Sequence, residues 1–349
     1  MTFPKIDLFS DTVTRPTPEM RQFMCEAEVG DEQNGEDPTV NRLTEMVSEM
    51  LGKEAAVYLP SGTMCNEIAL AVHCRAGDEI IMDQTAHVVN FEAGGPAVLS
   101  GAMIRSLQGT RGIFTASQLE EAIRSQSRYH PRSRAVSIEQ TSNLGGGAIW
   151  PLETIQAVCD VAHRRQLVTH MDGARLFNAV VASDVSAKEY AASLDSLWVD
   201  FSKGLGAPVG AVLAGSEAFI EEAWRWKQRI GGAMRQAGII AAGCIYALRH
   251  HIDRLAEDHE HAKQLAYGLA ECRGIDLDPA QVETNIILFD VAKSGLTADE
   301  IADRVLKEGV RFSVMGKTLL RAVTHLDVTR RDIEEAIEVT RKVMREVVK

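Results

Sequence analysis

The stretch that decides the fold is WVDFSKGLGAP, residues 198–208. Apolar and polar residues alternate over 199–202, as in a β-strand, and small residues that let the backbone turn follow. Lys203 lies at the junction. A lysine at the end of a buried strand is costly when charged, and its neutral amine attacks carbonyl groups. Taken alone, the simpler interpretation is a lysine that caps a strand at the surface, so the neighbouring segments must decide.

Around this stretch, short apolar segments alternate with amphipathic ones. This alternation is typical of an α/β fold in which helices cover both faces of a mostly parallel sheet. Helices are predicted from Pro18, over 39–51 and 64–73, from Thr115, and over 152–165. Strands are predicted at 55–59, 79–82, 102–107, 134–139, 167–171, 197–201 and 209–213.

Beyond Arg235 the pattern changes. A long helical tract over 234–272 is broken near His250, and a helix begins at Thr297 with a capping-box glutamate three residues on. Strands are predicted at 285–289, 311–314 and 321–324, and a final helix at 332–348. The sequence therefore predicts a large α/β domain with an N-terminal arm over residues 1–250 and a smaller α/β domain over 251–349.

Composition narrows the class of function. The chain has 349 residues and a formal net charge of −12, which argues against nucleic acid or an anionic membrane as the main partner. Its six cysteines are scattered without a CxxC pair, which indicates a reducing compartment. The N-terminus lacks an apolar signal core, and no apolar run reaches membrane-spanning length. A cytoplasmic location is expected.

Three other segments place polar residues at strand ends. Strand 167–171 runs into Asp172, which can hold a protonated ring nitrogen or simply form a turn. PSGT, residues 60–63, leads from a strand into a helix, where Gly62 and Thr63 can bind phosphate, although a plain N-cap at Thr63 is simpler. His87 follows the strand 79–82 and can stack on a flat cofactor or move a proton, although a lone histidine is more often structural.

Together these segments offer a nucleophilic amine, a partner for a ring nitrogen, a stacking ring and a phosphate site. These are the groups that a protein must supply to pyridoxal phosphate. Walker-type and GxGxxG motifs are missing from the sequence, so nucleotide sites lack their usual marks. Four histidines on one helical tract do not have HExxH spacing, and no metal is expected; they are His250, His251, His259 and His261.

With these features, the sequence resembles the low-specificity L-threonine aldolases, which are fold-type-I pyridoxal-phosphate enzymes. The resemblance covers nearly the whole chain and implies cleavage of a β-hydroxy-α-amino acid to glycine and an aldehyde. The matching segments are SDTVTRP (10–16), GEDPTVN (35–41), GKEAA (52–56), HMDGAR (170–175), SKGLGAPVG (202–210), MRQ (234–236) and VTHLD (323–327).

The resemblance also implies roles for individual residues at the cofactor. Lys203 is expected to form the Schiff base, and Asp172 to pair with the pyridine nitrogen. His87 is expected to stack on the ring and to relay the proton of the β-hydroxyl group. Gly62 and Thr63 are expected to hold the phosphate.

For the substrate, the resemblance implies that Ser10, Arg175 and Arg321 bind the carboxylate. Arg175 is also expected to reach the ring oxygen of the cofactor. Arg235 is expected to reach the phosphate of a neighbouring subunit, because enzymes of this type build their sites across a dimer interface and are commonly homotetramers.

The chain departs from the family pattern at three positions. Phe9 replaces an arginine, Asn34 a common tyrosine, and Ser142 a histidine that lies close to the substrate β-hydroxyl group in many relatives. Serine is a far poorer base than histidine at neutral pH, so proton removal would fall to His87 or to water. The tyrosine that Asn34 replaces is expected near the substrate or a neighbouring subunit, and Ser142 is expected beside the substrate. Among threonine, allo-threonine and bulkier analogues, the hypothesis is a β-hydroxy-α-amino acid other than threonine, such as a bulkier one.

Two other functions remain open at this stage. An aminotransferase or a β-eliminating lyase on the same fold would share Lys203 and Asp172 and differ only in which substrate bond is aligned. A cofactor-binding relative without enzymatic activity is disfavoured, because every catalytic residue that the resemblance implies is present.

Overall fold

A computed structural model describes residues 4–348 of the chain. It contains strands that are numbered in chain order. They are β1 (Ile6–Asp7), β2 (Ala55–Leu59), β3 (Asp78–Asp83), β4 (Met103–Leu107), β5 (Arg132–Glu139), β6 (Val168–Gly173), β7 (Ser196–Asp200), β8 (Ala211–Gly215), β9 (Ile286–Asp290), β10 (Val310–Arg311), β11 (Ser313–Val314) and β12 (Leu319–Val323).

The helices alternate with these strands through most of the chain. They are α1 (Pro18–Cys25), α2 (Pro38–Leu51), α3 (Gly62–His73), α4 (His87–Asn90), α5 (Gly95–Leu99), α6 (Ala116–Ala122), α7 (Leu152–Arg164), α8 (Leu176–Ser183), α9 (Ala187–Ala191), α10 (Glu217–Arg229), α11 (Gly238–His250), α12 (Leu255–Ala270), α13 (Ala298–Lys307) and α14 (Arg330–Val347).

A seven-stranded sheet in the order β2-β8-β7-β6-β5-β3-β4 forms the framework. Strand β8 runs antiparallel to β2 and β7, and the other neighbouring pairs are parallel. Successive side chains of β7 pack into different cores on the two faces of the sheet. Leu197 and Val199 belong to one apolar cluster, whereas Trp198 belongs to another. Helices therefore bury both faces of the sheet, which confirms the predicted fold class.

The C-terminal part has its own antiparallel sheet, β11-β12-β9, and its own apolar core. The first residues of the chain join this core, because β1 pairs with β10 and the side chains of Ile6 and Leu8 are buried there. The N-terminal arm is thus not only a loop. The division into domains at residue 250 stays a prediction.

The ends of most helices and strands lie where the local sequence signals predict them. Thr115 and Thr297 begin their helices with complete capping boxes, and the tract 234–272 is divided between α11 and α12, as predicted. The strand predicted at 311–314 is wrong as one element. Its two halves pair with different strands, β1 and β12, and Phe312 between them is buried against Phe289. Among residues 4–348, no helix has the length and apolar character that crossing a bilayer requires.

Candidate active site

The functional side chains gather at the carboxyl ends of the parallel strands. Strands β3, β5 and β7 end in Asp83, Glu139 and Asp200, and Asp172 is the last side chain of β6 before its terminal glycine. Since parallel strands end at the same edge of a sheet, these ends surround one crevice, where ligands bind in open α/β folds. A cavity of about 500 Å³ lies there. Its lining includes Phe9, one of the three departures from the family pattern, and eight of the predicted site residues: Ser10, Gly62, Thr63, His87, Asp172, Arg175, Lys203 and Arg321.

Lys203 follows β7 by three residues, in the turn that the small residues allow. Its Nζ lies 2.8 Å from a carboxylate oxygen of Asp200, and its side chain is 18% exposed. The Thr14 hydroxyl donates a hydrogen bond of 2.8 Å to the Lys203 carbonyl, which ties the N-terminal arm to this turn. Lys203 is therefore not a surface cap on a strand, because it lies in the cavity with its amine held by a carboxylate.

The start of α3 forms one end of the cavity. The N-cap is Ser61 rather than Thr63, since the Ser61 hydroxyl accepts the Met64 N–H. Gly62 lies against the Trp198 ring so closely that a Cβ there would come within 2.2 Å of it. A bare backbone and a free Thr63 hydroxyl thus remain at the positive end of a 12-residue helix, an arrangement that favours an anionic group.

Asp172 is buried and held by two donors. Its Oδ1 accepts the Ala174 N–H at 3.0 Å, and its Oδ2 accepts the Asn66 amide at 2.8 Å. Burial raises the pKa of Asp172, although the nearby Lys203 charge opposes the shift. Asn66 is positioned in turn by the Trp198 indole N–H, which donates to its Oδ1 at 2.7 Å. A cationic partner in the cavity would offset the burial of this carboxylate.

His87 begins α4 and is held at two points. Its backbone N–H donates to Oε2 of Glu139 at 2.6 Å, and its ring Nδ1 lies 2.7 Å from Oε1 of Glu92. Burial disfavours the charged imidazole, but the hydrogen bond to Glu92 and the charges of Asp172 and Glu92 outweigh burial and raise the pKa of His87. Burial, followed by the charge of Asp172, raises the pKa of Glu139 to about 7.

Arg175 and Asp11 form a buried bidentate ion pair. The Nε and Nη2 atoms of Arg175 lie 2.8 and 2.6 Å from the two carboxylate oxygens of Asp11, which also accepts the Asn285 amide at 3.1 Å. Burial opposes ionisation of Asp11, but the charge and hydrogen bonds of Arg175 outweigh it and hold the pKa of Asp11 far below its usual range. This pair joins the N-terminal arm to the end of β6.

Replacing Asp11 with asparagine should lower the free energy of unfolding at pH 7 by about 3–5 kcal/mol, because a buried guanidinium loses its counter-charge. A carboxylate with a depressed pKa stabilises the fold above its unfolded value near 4, and this contribution disappears as the pH falls. The difference between wild type and D11N in urea unfolding should therefore shrink below about pH 4. An equal difference at pH 3 and pH 7 would contradict this account. Asp7→Asn, which removes a partly exposed ion pair to Arg311, is the control and should cost about 1 kcal/mol or less.

Arg321 has hydrogen-bond acceptors but no counter-charge. It donates to Asn143 Oδ1 at 2.7 Å, to Ser313 Oγ at 3.2 Å and to the Phe9 carbonyl at 3.3 Å. Within residues 4–348, no carboxylate lies at ion-pair distance from it. Burial and the charge of Arg175 lower its pKa to about 10, so it remains a cation at neutral pH. A buried cation of this kind is a site for an anion.

Three predicted residues lie outside the cavity lining. Ser142 was expected beside the substrate, but a bridge to Ala148 turns it away, and its hydroxyl packs so closely on Gly112 and Gly145 that a Cβ on either would clash. Its neighbour Asn143 lines the cavity instead. Asn34 lies in a short 3-10 turn, and its side chain is exposed.

Arg235 also lies away from the cavity of its own chain. It forms an ion pair of 2.9 Å with Asp31, and its side chain is 62% exposed. The Glu32 N–H donates to the Arg235 carbonyl at 3.0 Å, which places Arg235 next to the turn that contains Asn34. The two residues thus share one surface, and neither lines the cavity.

Sequence reasoning missed several polar residues that position the predicted ones: Asn66, Glu92, Glu139 and Asp200. Two of them carried a usable signal. Like Asp172, Glu139 and Asp200 are acids at the end of apolar strands, so the same argument would have found them. Asn66 and Glu92 gave no such signal, because they reach the site only through the packing of α3 and of the segment between α4 and α5.

Comparison with known proteins places this geometry in a family. The family model described as beta-eliminating lyase matches residues 7–293. The chain belongs to the beta-eliminating lyase family. Within it, the chain is 38% identical to low-specificity L-threonine aldolase 1 of Arabidopsis thaliana, over 99% of this chain and 98% of that protein. It is 39% identical to the low specificity L-threonine aldolase of Escherichia coli K12, over 95% and 96% of the two chains.

The same family fold is found in solved structures. A threonine aldolase of Leishmania major superposes with a TM-score of 0.83 and 18% identity, over 97% of this chain and 99% of that chain. This likeness confirms the fold. The resemblance inferred from the motifs is confirmed by the full-length relatives.

Proposed function

We propose that the chain is a pyridoxal-phosphate-dependent lyase that cleaves the Cα–Cβ bond of an L-β-hydroxy-α-amino acid, giving glycine and an aldehyde. The observation that carries the proposal is that one cavity holds Lys203, Asp172 and His87 together with Arg321, a buried cation with no carboxylate partner in the described part of the chain. Membership of the family supports the reaction class.

The residues present fit the cofactor. The amine of Lys203 would form the covalent link, and the buried Asp172 would accept the N–H of a protonated ring. Gly62 and Thr63 offer N–H groups and a hydroxyl to the phosphate at the start of α3. His87 would stack on the ring. When bound, pyridoxal phosphate supplies an aldehyde that bonds to amines and a protonated ring that withdraws electrons from the substrate Cα.

Arg321, Arg175 and Ser10 orient the substrate through its carboxylate. Arg175 is already engaged by Asp11 through Nε and Nη2, so Nη1 is the part of its guanidinium left for a ligand. Fixing the carboxylate fixes rotation about the bond between Cα and nitrogen and so selects which bond at Cα breaks.

His87 is the group that takes the proton from the β-hydroxyl. Its Nδ1 is bound to Glu92, so Nε2 is the nitrogen available to accept a proton. Removal of this proton releases the aldehyde. Because Ser142 lies outside the cavity, this task does not fall to the residue at that position.

A second subunit completes the site in this proposal. Arg235 and Asn34 share an exposed surface, and Arg235 would reach the cofactor phosphate of a neighbouring copy, as in a homo-oligomer built from dimers and assembled as a tetramer. All six cysteines are free and five of them are buried, which supports a reducing, cytoplasmic compartment.

The substrate is expected to carry a bulky β-substituent. Phe9, which stands where relatives have arginine, and Phe91 both line the cavity, and they are 40% and 48% exposed. Exposed rings at a cavity mouth favour an apolar group. Covering them with an aromatic substituent should contribute about 1.5–3 kcal/mol more than a methyl group does.

The substrate panel of threonine, allo-threonine, serine and phenylserine tests both the reaction and its range. We expect glycine plus an aldehyde from each substrate that is cleaved, with kcat/KM for phenylserine about tenfold or more above that for threonine. Phe9→Ala and Phe91→Ala should lower the phenylserine value more than the threonine value. Val98→Ala, at an exposed apolar residue outside the cavity, should change neither.

Two results would count against the proposal. A keto acid with ammonia, or a transferred amino group, would indicate the β-eliminating or aminotransferase alternative. A preference for threonine that is insensitive to Phe9 and Phe91 would reject the bulky substrate while leaving the aldolase reaction in place.

A further inference from the structure

A buried carboxyl group without a role in the proposed reaction lies next to Glu92, the partner of His87. Glu67 is in the second turn of α3 and is 5% exposed, and both of its carboxylate oxygens are buried with no hydrogen-bond donor among the described residues. The second oxygen of Glu92, Oε2, is also buried and unpartnered. The Glu67 side chain lies within hydrogen-bonding reach of the Glu92 side chain. Unpartnered buried oxygens are expensive, so two buried carboxyl groups this close require an explanation.

The carboxyl group of Glu67 occupies a fitted position. A Cβ at Gly95, the first residue of α5, would lie 1.8 Å from Glu67 Oε1 and 2.1 Å from its Cδ. Only a glycine leaves room for this group between α3 and α5. The carboxyl group is therefore held in place rather than free to turn toward solvent.

One shared proton satisfies this arrangement. Two carboxylates have only acceptors, so Glu67 and Glu92 can pair only if one of them is protonated. Glu92 Oε1 already faces two donors, His87 at 2.7 Å and the Asn66 amide at 2.8 Å. Glu67 has no such donor, so the proton belongs on Glu67.

The charges around the cluster point the same way. Burial raises the pKa of Glu67 to about 8, and the charge of Glu92 adds to the shift. Glu92 is the charged group that acts on Glu67. Beyond Glu92, His87 on α4, Asp172 on β6, Glu139 at the end of β5 and Lys203 after β7 surround the imidazole end of the cluster. A second negative charge beside Glu92 is disfavoured, which opposes ionisation of Glu67.

We propose that Glu67 is a positioning residue that carries a proton and donates it in a hydrogen bond to Glu92, which in turn holds Nδ1 of His87. The proton keeps the pair at a single negative charge and fixes the Glu92 carboxylate toward the imidazole. When Glu67 ionises, the added negative charge stabilises the imidazolium and reduces the fraction of His87 that can accept a proton. This inference rests on the proposed function insofar as His87 acts on the substrate.

Glu67→Gln and Glu67→Leu separate positioning from packing. Glutamine keeps an N–H donor for Glu92 at every pH, whereas leucine removes it and leaves Glu92 Oε2 buried and unpaired. We expect E67L to lower kcat at pH 7 by about tenfold or more, and E67Q to recover most of that loss. In E67Q the alkaline fall of kcat/KM near pH 8 should move upward. Glu79→Gln, at a buried glutamate on β3 paired with Arg124, is the matched control and should leave the pH profile unchanged.

Two readouts need no substrate. In the infrared spectrum of the holoenzyme, wild type should show a protonated carboxyl band at pH 7 that is missing from E67Q. Because the folded pKa of Glu67 is raised, its stabilising contribution is complete below about pH 4.5 and is lost as the pH rises through about 8. The Tm of wild type should therefore fall relative to that of E67Q between pH 5 and pH 9.

The possible failures can be told apart. Identical carboxyl bands and parallel Tm curves in wild type and E67Q would overturn the shared proton, whatever the substrate proves to be. If wild type cleaves no β-hydroxy amino acid, the proposed function fails, while the infrared and Tm measurements still decide the state of Glu67. A kcat of E67Q as low as that of E67L would also contradict the proposal, since the restored donor would then have no effect.

Discussion

Replacing Lys203 with alanine is expected to abolish the visible absorbance that arises when pyridoxal phosphate is covalently linked to the protein. Cleavage of the substrate should be lost as well. The reason is chemical, because no other amine lines the cavity within the described residues. Asp200 would lose the partner that lies 2.8 Å away, so a modest change in stability is also expected. The measurement is the absorbance spectrum of protein loaded with pyridoxal phosphate, followed by glycine release from the substrate panel.

The matched control is Lys53→Ala, because Lys53 is also a partly buried lysine and bonds the Leu194 carbonyl away from the cavity. This variant should keep both spectrum and activity. An unchanged spectrum in K203A would reject the covalent assignment. A changed spectrum in K53A would show that the assay responds to general damage.

Arg321→Ala is expected to lower kcat/KM by about 10- to 100-fold, the effect of losing one or two hydrogen bonds to a charged group, about 1.5–3 kcal/mol. The guanidinium has only neutral acceptors within residues 4–348, so its charge is available to a substrate carboxylate. If Arg321 only binds the carboxylate, the loss appears in KM. If it also fixes the orientation of Cα, kcat falls and exchange of the Cα proton increases relative to cleavage.

Arg321→Lys gives a second level of the same test. Lysine keeps the charge but not the planar fork, so it should recover affinity without recovering the ratio of cleavage to exchange. Arg311→Ala, which removes a partly exposed ion pair with Asp7 outside the cavity, is the control and should leave that ratio unchanged. An unaltered KM and ratio in R321A would show that the carboxylate binds elsewhere.

The sequence predicted the framework well because its signals are local. Apolar segments, turn residues and capping boxes depend on neighbours within a few residues, and most predicted elements lie within two residues of the observed ones. Position at a strand end was also enough to place Lys203, Asp172 and His87 in one crevice, since the edge of a parallel sheet brings distant residues together. The arm at residues 6–7 was missed as a strand because its partner, β10, lies some 300 residues away.

Side-chain direction was beyond the sequence. Ser142 and Asn143 are adjacent, and contacts with other segments decide that Asn143 faces the cavity: Ser142 bridges to Ala148, the Asn143 N–H donates to Glu139, and Asn143 Oδ1 accepts from Arg321. Likewise, the sequence left open whether Asn34 lies near the substrate or near a neighbouring subunit, and the fold places it beside Arg235 on an exposed surface. Such outcomes depend on contacts between segments that composition and spacing do not specify.

The sequence by itself indicated the cofactor, because Lys203, Asp172 and His87 follow predicted strands, Gly62 and Thr63 precede a helix, and the surrounding motifs match the family. Only the tertiary structure decided the environment in which that chemistry operates. It left Arg321 with no carboxylate at ion-pair distance among residues 4–348, and it buried the carboxyl group of Glu67 within reach of Glu92, which contacts His87. Both outcomes arise from burial, which makes a charge or an unpaired oxygen costly, and burial is a property of the packed chain.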